Sequence, residues 1–301
     1  MAGRILLSGA SGMLGTALSG SLAAEFETLH LVRRPPKSST EIEWHPEALH
    51  AFAQTEPLEN LTAAIHLSGA NLAGRRWTAA YKRELIESRS GSTRALAQTL
   101  AELKQPPQGL LVASGAGIYG NRGDELLDES SAPGTGFLAD LCGAWEEAAQ
   151  PAAVAGIRVV HLRCGVVLTR TGGALAKMLP IFRLGLGGPL GNGRQWMSWI
   201  ALADLIAAVR LLLRDTALSG PINIVAPEPV TNAEFTRAIG RAVNRPAILP
   251  APAFALRLAL GEMADEALLA SARVLPKRLL DAGFRFRYPE IDEALRYELE
   301  K

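Results

Sequence analysis

Short apolar runs alternate with longer amphipathic stretches along the first half of the chain. The runs are continuously apolar, which is typical of strands that are covered on both faces, and strands separated by helices indicate a parallel sheet with crossover helices. The pattern therefore predicts an α/β fold. The predicted strands are 4–8, 28–32, 63–68, 109–114 and 157–163, and the predicted helices lie near 13–24, 78–103 and 137–154.

The pattern loosens after Arg163. Thr231 and Glu234 have the spacing of a capping box, which predicts a helix that begins at Thr231. Three prolines then mark a boundary before a short helical tail. The other segments are a Gly-rich loop at 183–199, a helix near 201–214, a strand near 221–225, and the prolines Pro246, Pro250 and Pro252.

The glycines of "LLSGASGMLG" directly follow the first predicted strand and precede a helix. In a dinucleotide-binding turn Gly9 permits the tight turn, Gly12 lets the backbone approach a pyrophosphate, and Gly15 allows close packing of helix on strand. Amides at the helix start face the phosphates. We expect Ser11, Met13 and Leu14 to contact the cofactor as well; the alternative is an ordinary strand-to-helix turn.

The second strand ends in "LVRRPP" rather than in an acidic residue. An acid at this point would accept hydrogen bonds from the adenosine ribose of NAD, whereas Arg33 or Arg34 can bind a 2′-phosphate through charge-assisted hydrogen bonds. The sequence therefore predicts that NADP(H) is preferred over NAD(H). The alternative is a pair of solvated arginines at a strand end.

Charge and cysteine content exclude several classes of function. The chain has 301 residues and is 48% hydrophobic, with 31 basic and 30 acidic residues. A net charge near zero argues against nucleic acid or an anionic membrane as partner, although a local basic pocket stays open. Two cysteines, five histidines without metal-ligand spacing, and a start without signal-peptide features predict a cytoplasmic protein without metal. Its oligomeric state is left open.

Several motifs together resemble a known family. The glycine turn, "HLSGAN" at 66–71 and "SGAGIYG" at 114–120 resemble an atypical extended short-chain dehydrogenase of the NAD-dependent epimerase/dehydratase superfamily. "GGPLGNGRQWMSWI" and "ARVLPKRLLDAGFRFRYPEIDEAL" are similar to a bacterial epimerase-like family that carries a C-terminal domain of unknown function. The similarity covers nearly the whole chain.

The resemblance implies a doubly wound, parallel-sheet Rossmann domain over 1–165 with returning segments near 191–219. A smaller interleaved substrate lobe takes mainly 166–301, and substrate is expected in the cleft between the lobes. Leu67, Ser68, Gly69 and Arg163 are expected to contact NADP(H). The family usually has a His and an acidic residue in the segment matching "WIALAD", where Ala201 and Ala203 stand here, so any contact of that His with substrate is absent.

Two residues near the 109–114 strand are candidates for catalysis. Ser114 matches the Ser or Thr that hydrogen-bonds the reacting group in related enzymes, and the carboxyl end of a parallel strand faces the ligand crevice. Tyr119 can place a phenol near the nicotinamide. The alternatives are a loop Ser that caps backbone and an aromatic wall.

Two polar and aromatic clusters are candidates for substrate binding. Arg offers a planar fork for carboxylate or phosphate, and Trp can stack on a ring. The first cluster is Asn71, Arg75, Arg76 and Trp77, for which a solvated helix start is the alternative; the second is Arg194 with Trp196. Arg194 favours an anionic group on the substrate. Trp199 is expected in the core.

The amphipathic stretch "GFLADLCGAWEEAAQ" lacks the Tyr-x-x-x-Lys pair of short-chain dehydrogenases. Depending on register, Leu141 with Trp145 or Cys142 with Glu146 takes its place, and Cys142 is expected to pack in the interior. The predicted function is an NADP(H)-dependent oxidoreductase or epimerase-like enzyme that acts on a small polar metabolite. Anionic metabolites are among the candidate substrates. The alternative is a non-catalytic, NADP(H)-responsive binding or regulatory protein.

Overall fold

A computed structural model describes residues 3–48 and 51–300. The strands are β1 (Gly3–Ser8), β2 (Phe26–Val32), β3 (Glu41–Glu43), β4 (Ala63–His66), β5 (Gly109–Gly115), β6 (Leu126–Leu127), β7 (Arg158–Cys164), β8 (Val166–Leu168), β9 (Trp196–Met197), β10 (Trp199–Ala201), β11 (Gly220–Ile224), β12 (Val230–Thr231) and β13 (Arg273–Val274). The helices are α1 (Met13–Leu22), α2 (Ala79–Ile86), α3 (Ser92–Ala101), α4 (Phe137–Glu147), α5 (Gln150–Val154), α6 (Gly173–Arg183), α7 (Leu202–Arg214), α8 (Asn232–Ala242), α9 (Ala253–Leu260), α10 (Lys277–Asp281) and α11 (Ile291–Glu300).

Seven strands form one sheet in the order β11-β7-β5-β4-β1-β2-β3. The pairs β1–β2, β1–β4, β2–β3 and β4–β5 are parallel. The chain starts in the middle of the sheet and moves first to one edge and then to the other, as a doubly wound fold does. Consecutive residues of β5 are buried from Gly109 to Ser114, which agrees with a strand covered on both faces. The predicted α/β Rossmann architecture is confirmed.

The helix expected over 78–103 is interrupted. Residues 87–91 form a π-helical turn between α2 and α3. Two serine hydroxyls donate to backbone carbonyls four residues earlier. Ser90 Oγ donates to Ile86 O at 2.8 Å, and Ser92 Oγ donates to Ser88 O at 2.7 Å. Such side-chain bonds compete with the α-helical ladder, and π turns are frequent at functional sites.

Other boundaries also differ from the prediction. The 137–154 helix is divided into α4 and α5, with Pro151 in the first turn of α5, where the missing N–H of proline is tolerated. The edge strand β3 and the helix α6 were not predicted. The capping box is confirmed, because Thr231 N donates to Glu234 Oε2 and Glu234 N donates to Thr231 Oγ1.

The chain divides into two compact units. The first unit comprises 1–114, 143–162 and 209–221, and the second comprises 115–142, 163–208 and 222–301. In the first, side chains of the sheet strands pack with those of α3, including Leu6, Leu96 and Leu110. In the second, fully buried Trp199 and Phe235 are the largest members of a core that also includes α6 and α11 side chains.

No helix among the described residues is long and apolar enough to cross a membrane. Within 3–48 and 51–300 there is also no group of three or more His, Cys, Asp or Glu side chains that could hold a metal ion.

Candidate dinucleotide site

A crevice of about 1290 Å³ lies in the first unit, at the carboxyl ends of β1, β2 and β4. Ligands of doubly wound folds bind at this end of the strands. Ten of the predicted site residues line the crevice: Gly9, Ser11, Gly12, Arg33, Arg34, Leu67, Ser68, Gly69, Asn71 and Arg75. Met13, Leu14 and Gly15 lie in the first turn of α1.

The three glycines of the turn have different physical roles. Gly9 has a φ of +70°, a conformation that L side chains rarely adopt. A Cβ at Gly15 would lie 2.1 Å from Gly9 O, so only glycine permits this close approach of helix and turn. A Cβ at Gly12 would meet only Gly9 O, at 3.3 Å, and the φ of Gly12 is an ordinary −76°. Gly9 and Gly15 are therefore needed by the fold itself, whereas Gly12 is not.

The start of α1 is free of competing acceptors. Gly12 is its N-cap residue, no side chain caps the helix, and its first turn has no acidic residue. The first amides of a helix have no intrahelical acceptor and carry the positive end of the helix dipole. A phosphate is the kind of group that satisfies them.

Arg33 and Arg34 differ at the end of β2. Arg34 makes a bidentate ion pair with Glu41 on β3, with Nη1–Oε2 and Nη2–Oε1 distances of 2.8 and 2.7 Å. Lys37 N donates to Glu41 Oε2 at 2.6 Å. The hydrogen bond from Arg34 is the main cause that lowers the pKa of Glu41 to about 2. Arg33 also lines the crevice and has no ion pair among the described residues.

A buried hydrogen-bond chain adjoins the crevice behind the glycine turn. His66, the last residue of β4, lies between Ser8 Oγ at 2.7 Å from its Nδ1 and Ser92 Oγ at 3.1 Å from its Nε2. Ser8 Oγ also accepts from Leu67 N at 3.1 Å. All three polar side chains are buried. The chain ties the ends of β1 and β4 to the start of α3.

The bonds of this chain fix the tautomer of His66. The single hydroxyl proton of Ser92 goes to Ser88 O, at 2.7 Å, so Ser92 Oγ must accept from His66 Nε2–H. Nδ1 is then the acceptor for the Ser8 hydroxyl. A second ring proton on Nδ1 would remove the acceptor of the Ser8 hydroxyl proton, and burial lowers the pKa of His66 to about 3. His66 is therefore neutral across the physiological range.

The π-helical turn holds the residues that follow β4. Ser88 Oγ accepts from Ala70 N at 3.0 Å, and Arg89 Nη2 donates to Ala70 O at 2.9 Å. Both polar backbone groups of Ala70 are thus bonded to this turn. Since Leu67–Ala70 form one wall of the crevice, the π turn orders a wall of the candidate site.

Ser114 lies where predicted, at the end of β5, and its hydroxyl donates to Glu146 Oε1 at 2.7 Å. A Cβ built at the next residue, Gly115, would lie 3.5 Å from Cys142 Sγ. Cys142 and Glu146 are one turn apart on α4. Ser114 and Gly115 thus lie next to Glu146 and Cys142, and which pair takes the Tyr and Lys positions stays a prediction.

The alternative pair on α4 has packing roles. Leu141 is buried, and Trp145 Nε1 donates to Thr93 Oγ1 at 3.0 Å within the first unit. Cys142 is buried as expected, in a cluster with Ile118 and Tyr119.

Tyr119 is fully buried in the second unit. Its hydroxyl donates to Asn223 Oδ1 at 2.7 Å and accepts from Arg163 Nη1 at 3.0 Å. Burial is the main cause that raises the pKa of the phenol, against the opposing charge of Arg163. Proton transfer by Tyr119 would require exchange of both partners. Arg163, predicted to contact cofactor, is itself buried, and its guanidinium lies 5.3 Å from the Tyr119 ring centre.

The predicted substrate cluster after β4 is partly exposed. Asn71 and Arg75 are exposed crevice residues, and Arg75 lies 3.4 Å from Glu84 and 5.5 Å from the Tyr81 ring centre. Arg76 is exposed too. Trp77 is buried, and its Nε1 donates to Leu72 O at 2.8 Å. Its ring therefore supports the loop that carries Asn71 in this conformation.

The second predicted cluster belongs to the second unit. Arg194 is exposed, and its backbone N–H donates to Asn192 Oδ1 at 2.9 Å. Trp196 Nε1 donates to Asp124 Oδ1 at 2.8 Å, and the Arg273 guanidinium stacks 4.2 Å from the indole centre. Trp199 is fully buried, which confirms its expected place in the core.

Sequence reasoning missed Glu41, the Ser8–His66–Ser92 chain and the π turn. A signal for the first was the acidic residue seven positions after Arg34, but its meaning depends on β3, a three-residue strand without a strong pattern. For the second, the signal was a His at the end of an otherwise apolar strand.

Comparisons with known proteins agree with this geometry. A sequence model described as the NAD dependent epimerase/dehydratase family matches residues 5–225, and one described as a domain of unknown function, DUF1731, matches residues 251–298. The chain is 46% identical over 296 residues to epimerase family protein Mb2239 of Mycobacterium bovis, which covers 97% of this chain and 96% of that protein.

Two solved structures are similar over nearly the whole chain. The human epimerase family protein SDR39U1, solved with NADPH, is 34% identical with a TM-score of 0.91, and the match covers 99% of both chains. A nucleoside-diphosphate sugar epimerase from Corynebacterium glutamicum is also 34% identical, with a TM-score of 0.82; the match covers 99% of this chain and 58% of that one.

Proposed function

The chain belongs to the NAD dependent epimerase/dehydratase family, and on that premise we propose that it is an NADP(H)-dependent oxidoreductase or epimerase-like enzyme. Its substrate in this proposal is a small polar metabolite, with anionic compounds among the candidates. The observation that carries the proposal is the crevice formed by the glycine turn, the uncapped start of α1 and Arg33.

The residues present fit a dinucleotide. The space next to Gly12, into which a Cβ would project, and the free amides of α1 suit a pyrophosphate. Leu67–Gly69, whose first residue adjoins Gly9, also line the crevice. When bound, the nicotinamide supplies hydride transfer; the chain's own residues bind it, order the walls and handle protons.

The preference for NADP(H) rests on the end of β2. Glu41 on the neighbouring strand β3 is an acidic residue that lines the crevice, but its carboxylate already accepts from Arg34 and from Lys37 N. Arg33 lines the crevice and has no ion pair among the described residues, so its guanidinium is available to a 2′-phosphate. A charge-assisted hydrogen bond to a phosphate favours NADP(H) over a cofactor that lacks this group.

Proton handling in this proposal rests first on Ser114. Its hydroxyl is bonded to a carboxylate, so a proton that leaves Ser114 has an acceptor in Glu146. Tyr119 is the second candidate, and its two hydrogen bonds make it the less available one. Asn71 and Arg75, which line the crevice, are the proposed polar contacts to substrate; Arg194 and Trp196 stay separate candidates.

One observation favours the second candidate function, a non-catalytic NADP(H)-responsive protein. In the Cys142–Glu146 register, which the contact of Glu146 with Ser114 supports, a thiol and a carboxylate stand in place of the Tyr and Lys of a short-chain dehydrogenase. Neither can supply a phenol acid or a cation that lowers the pKa of one.

A turnover screen separates the two. The protein is incubated with NADPH or NADP⁺ and a library of small polar metabolites, and nicotinamide absorbance is followed. The enzyme proposal expects turnover with at least one compound and loss of that turnover in Ser114→Ala. Tight NADPH binding with no turnover across the library would favour the binding protein.

A further inference from the structure

The second unit exposes an unusual amount of apolar side chain along two stretches. Of ten large hydrophobic side chains that are exposed in the described part of the chain, seven lie at 181–186 and 248–258. Four of them are more than two-thirds exposed: Leu184 at 73%, Ile248 at 74%, Phe254 at 72% and Leu258 at 77%. Exposed apolar patches on soluble domains mark sites of interaction.

The two stretches adjoin one another. Leu249 N donates to Gly187 O at 3.1 Å, and Ala251 N donates to Pro189 O at 2.9 Å. Arg245 Nε donates to Arg183 O at 3.0 Å. The backbone after α6 therefore runs beside the backbone before α9, and we call residues 177–186 and 245–258 together the apolar–basic surface.

The helices of this surface leave one face without a partner. Helix α9 has no buried residue, and its Phe254 and Leu258 are one turn apart on the same face. Lys177 and Ile181 on α6 and Leu184, its C-cap residue, follow a similar helical spacing and are all exposed. Buried Leu175, Leu179 and Phe182 occupy the other face of α6.

The charged residues within the two sequence segments that carry these apolar side chains are all basic. Segments 173–191 and 237–260 contain six basic residues and no acidic residue, in a chain whose net charge is +1. Two of the six, Arg241 and Arg257, pair with Asp292 and Asp265. The other four, Lys177, Arg183, Arg237 and Arg245, are exposed and have no ion pair among the described residues.

We propose that the apolar–basic surface docks on an anionic lipid bilayer, with Phe254, Leu258 and Leu184 entering the interfacial layer and Lys177, Arg183 and Arg245 next to lipid phosphates. Exposed Leu and Phe side chains on helices that also carry Lys and Arg are the composition of interfacial membrane helices. Basic side chains near an anionic leaflet each add to the attraction. This docking is peripheral and needs no membrane-spanning helix.

Charge complementarity selects this occupant over a second copy of the chain. In a symmetric dimer the same surface faces itself, so a net positive surface would face a second net positive surface. An anionic bilayer instead offers negative charge and an apolar layer together. The near-zero charge of the whole chain conceals this local imbalance.

The test is co-sedimentation of the full chain with vesicles of phosphatidylcholine mixed with phosphatidylglycerol, compared with pure phosphatidylcholine. Binding is expected only with the anionic vesicles, and it should weaken as salt is added. The double change Phe254→Ser and Leu258→Ser should lower the partition coefficient about tenfold or more for each side chain. Lys177→Ala and Arg183→Ala should lower it about fivefold each.

Two matched changes serve as controls. Val154→Ser removes an equally exposed apolar side chain of the first unit, and Arg94→Glu reverses an exposed charge on α3. Neither should alter vesicle binding. All variants should keep the thermal unfolding midpoint and the NADPH affinity of the unmodified protein. A failure of the membrane proposal can therefore be told apart from a failure of the proposed NADP(H)-dependent function.

Three results would overturn the proposal. The first is no binding to anionic vesicles at low salt. The second is vesicle binding that Lys177→Ala and Arg183→Ala weaken but that Phe254→Ser with Leu258→Ser leaves unchanged. Such binding would be electrostatic attraction to a polyanion without insertion of apolar side chains. The third is a dimer in solution that Phe254→Ser with Leu258→Ser converts to a monomer, because a second copy then covers the surface.

Discussion

The Ser114 hydroxyl donates a 2.7 Å hydrogen bond to Glu146 on α4, the residue that we propose stands in place of the lysine of a Tyr-x-x-x-Lys helix. A lysine there would lower the pKa of a neighbouring phenol and hold the nicotinamide ribose. A carboxylate does neither, and it accepts the proton that a hydroxyl gives up. The side chain beside the end of β5 is therefore negatively charged, where the usual short-chain dehydrogenase has a positive charge.

The first prediction concerns this substitution. The protein should show little epimerisation of ordinary sugar-nucleotide substrates, because general acid–base help of the usual kind contributes about 10²–10⁴-fold in rate. Direct assay of those substrates with NAD(H) and NADP(H) checks it. If turnover is found, Ser114→Ala and Tyr119→Phe should reduce it. Robust epimerisation that survives both changes but collapses in Glu146→Gln would assign the helix a different chemistry.

The second prediction compares two glycines of the same turn. Gly12→Val should abolish NADPH binding and cost about 1 kcal/mol or less of unfolding free energy, because the position has an ordinary φ and only one close neighbour. Gly15→Ala should destabilise the fold, since its Cβ would lie 2.1 Å from Gly9 O. Calorimetry and denaturant unfolding measure the pair. Unchanged NADPH affinity in a folded Gly12→Val protein would remove the pyrophosphate from this turn.

The third prediction concerns pH and His66. Burial lowers its pKa from the ordinary 6.5 to about 3, so the neutral ring is favoured on folding. The stability this gives is present above pH 6.5 and is lost as pH falls towards 3, by up to about 1.4 kcal/mol per pH unit.

Denaturant unfolding between neutral and acid pH should show this slope in the unmodified protein, and His66→Gln should reduce it. Nitrogen-15 NMR of the ring should show the Nε2–H tautomer throughout. A ring protonated near pH 6 in the folded protein would contradict the bonding of the Ser8–His66–Ser92 chain.

The fourth prediction separates structure from catalysis at Tyr119. Tyr119→Phe should cost about 1–3 kcal/mol of unfolding free energy, because it leaves buried groups of Asn223 and Arg163 without the hydroxyl. The raised phenol pKa adds stability that is present below the ordinary pKa of 10.0 and is lost as pH rises through the folded value. NADPH affinity should hardly change. A fold of unchanged stability with a large loss of turnover would make Tyr119 catalytic.

Much of the fold followed from the pattern of apolar residues. The continuous runs in β1 and β5 are buried because helices cover both faces of the sheet, and this requirement is visible in composition alone. The π turn and the division of α4 from α5 were not visible, since they depend on local side-chain bonds and on one proline.

The site was predictable to the extent that it is local in sequence. Gly9, Gly12 and Gly15 lie on one strand–turn–helix unit, so their spacing was sufficient. Arg33 and Arg34 look alike in sequence and differ only because Glu41 pairs with the second across the β2–β3 edge. The apolar–basic surface could not be predicted from the sequence either, because it brings together residues that are far apart in the chain. The hydrogen bond from Arg245 to Arg183 spans 62 positions.

The most direct test of the account is the equilibrium affinity of the unmodified protein for NADPH and for NADH, measured by calorimetry in the same buffer. NADPH should bind about tenfold or more tightly than NADH, because a charged phosphate hydrogen bond contributes about 1.5–3 kcal/mol. Arg33→Ala should remove much of that difference, Arg33→Ala with Arg34→Ala should remove most of it, and NADH affinity should change little. Equal affinity of the unmodified protein for the two cofactors would contradict the assignment of the end of β2 to a 2′-phosphate.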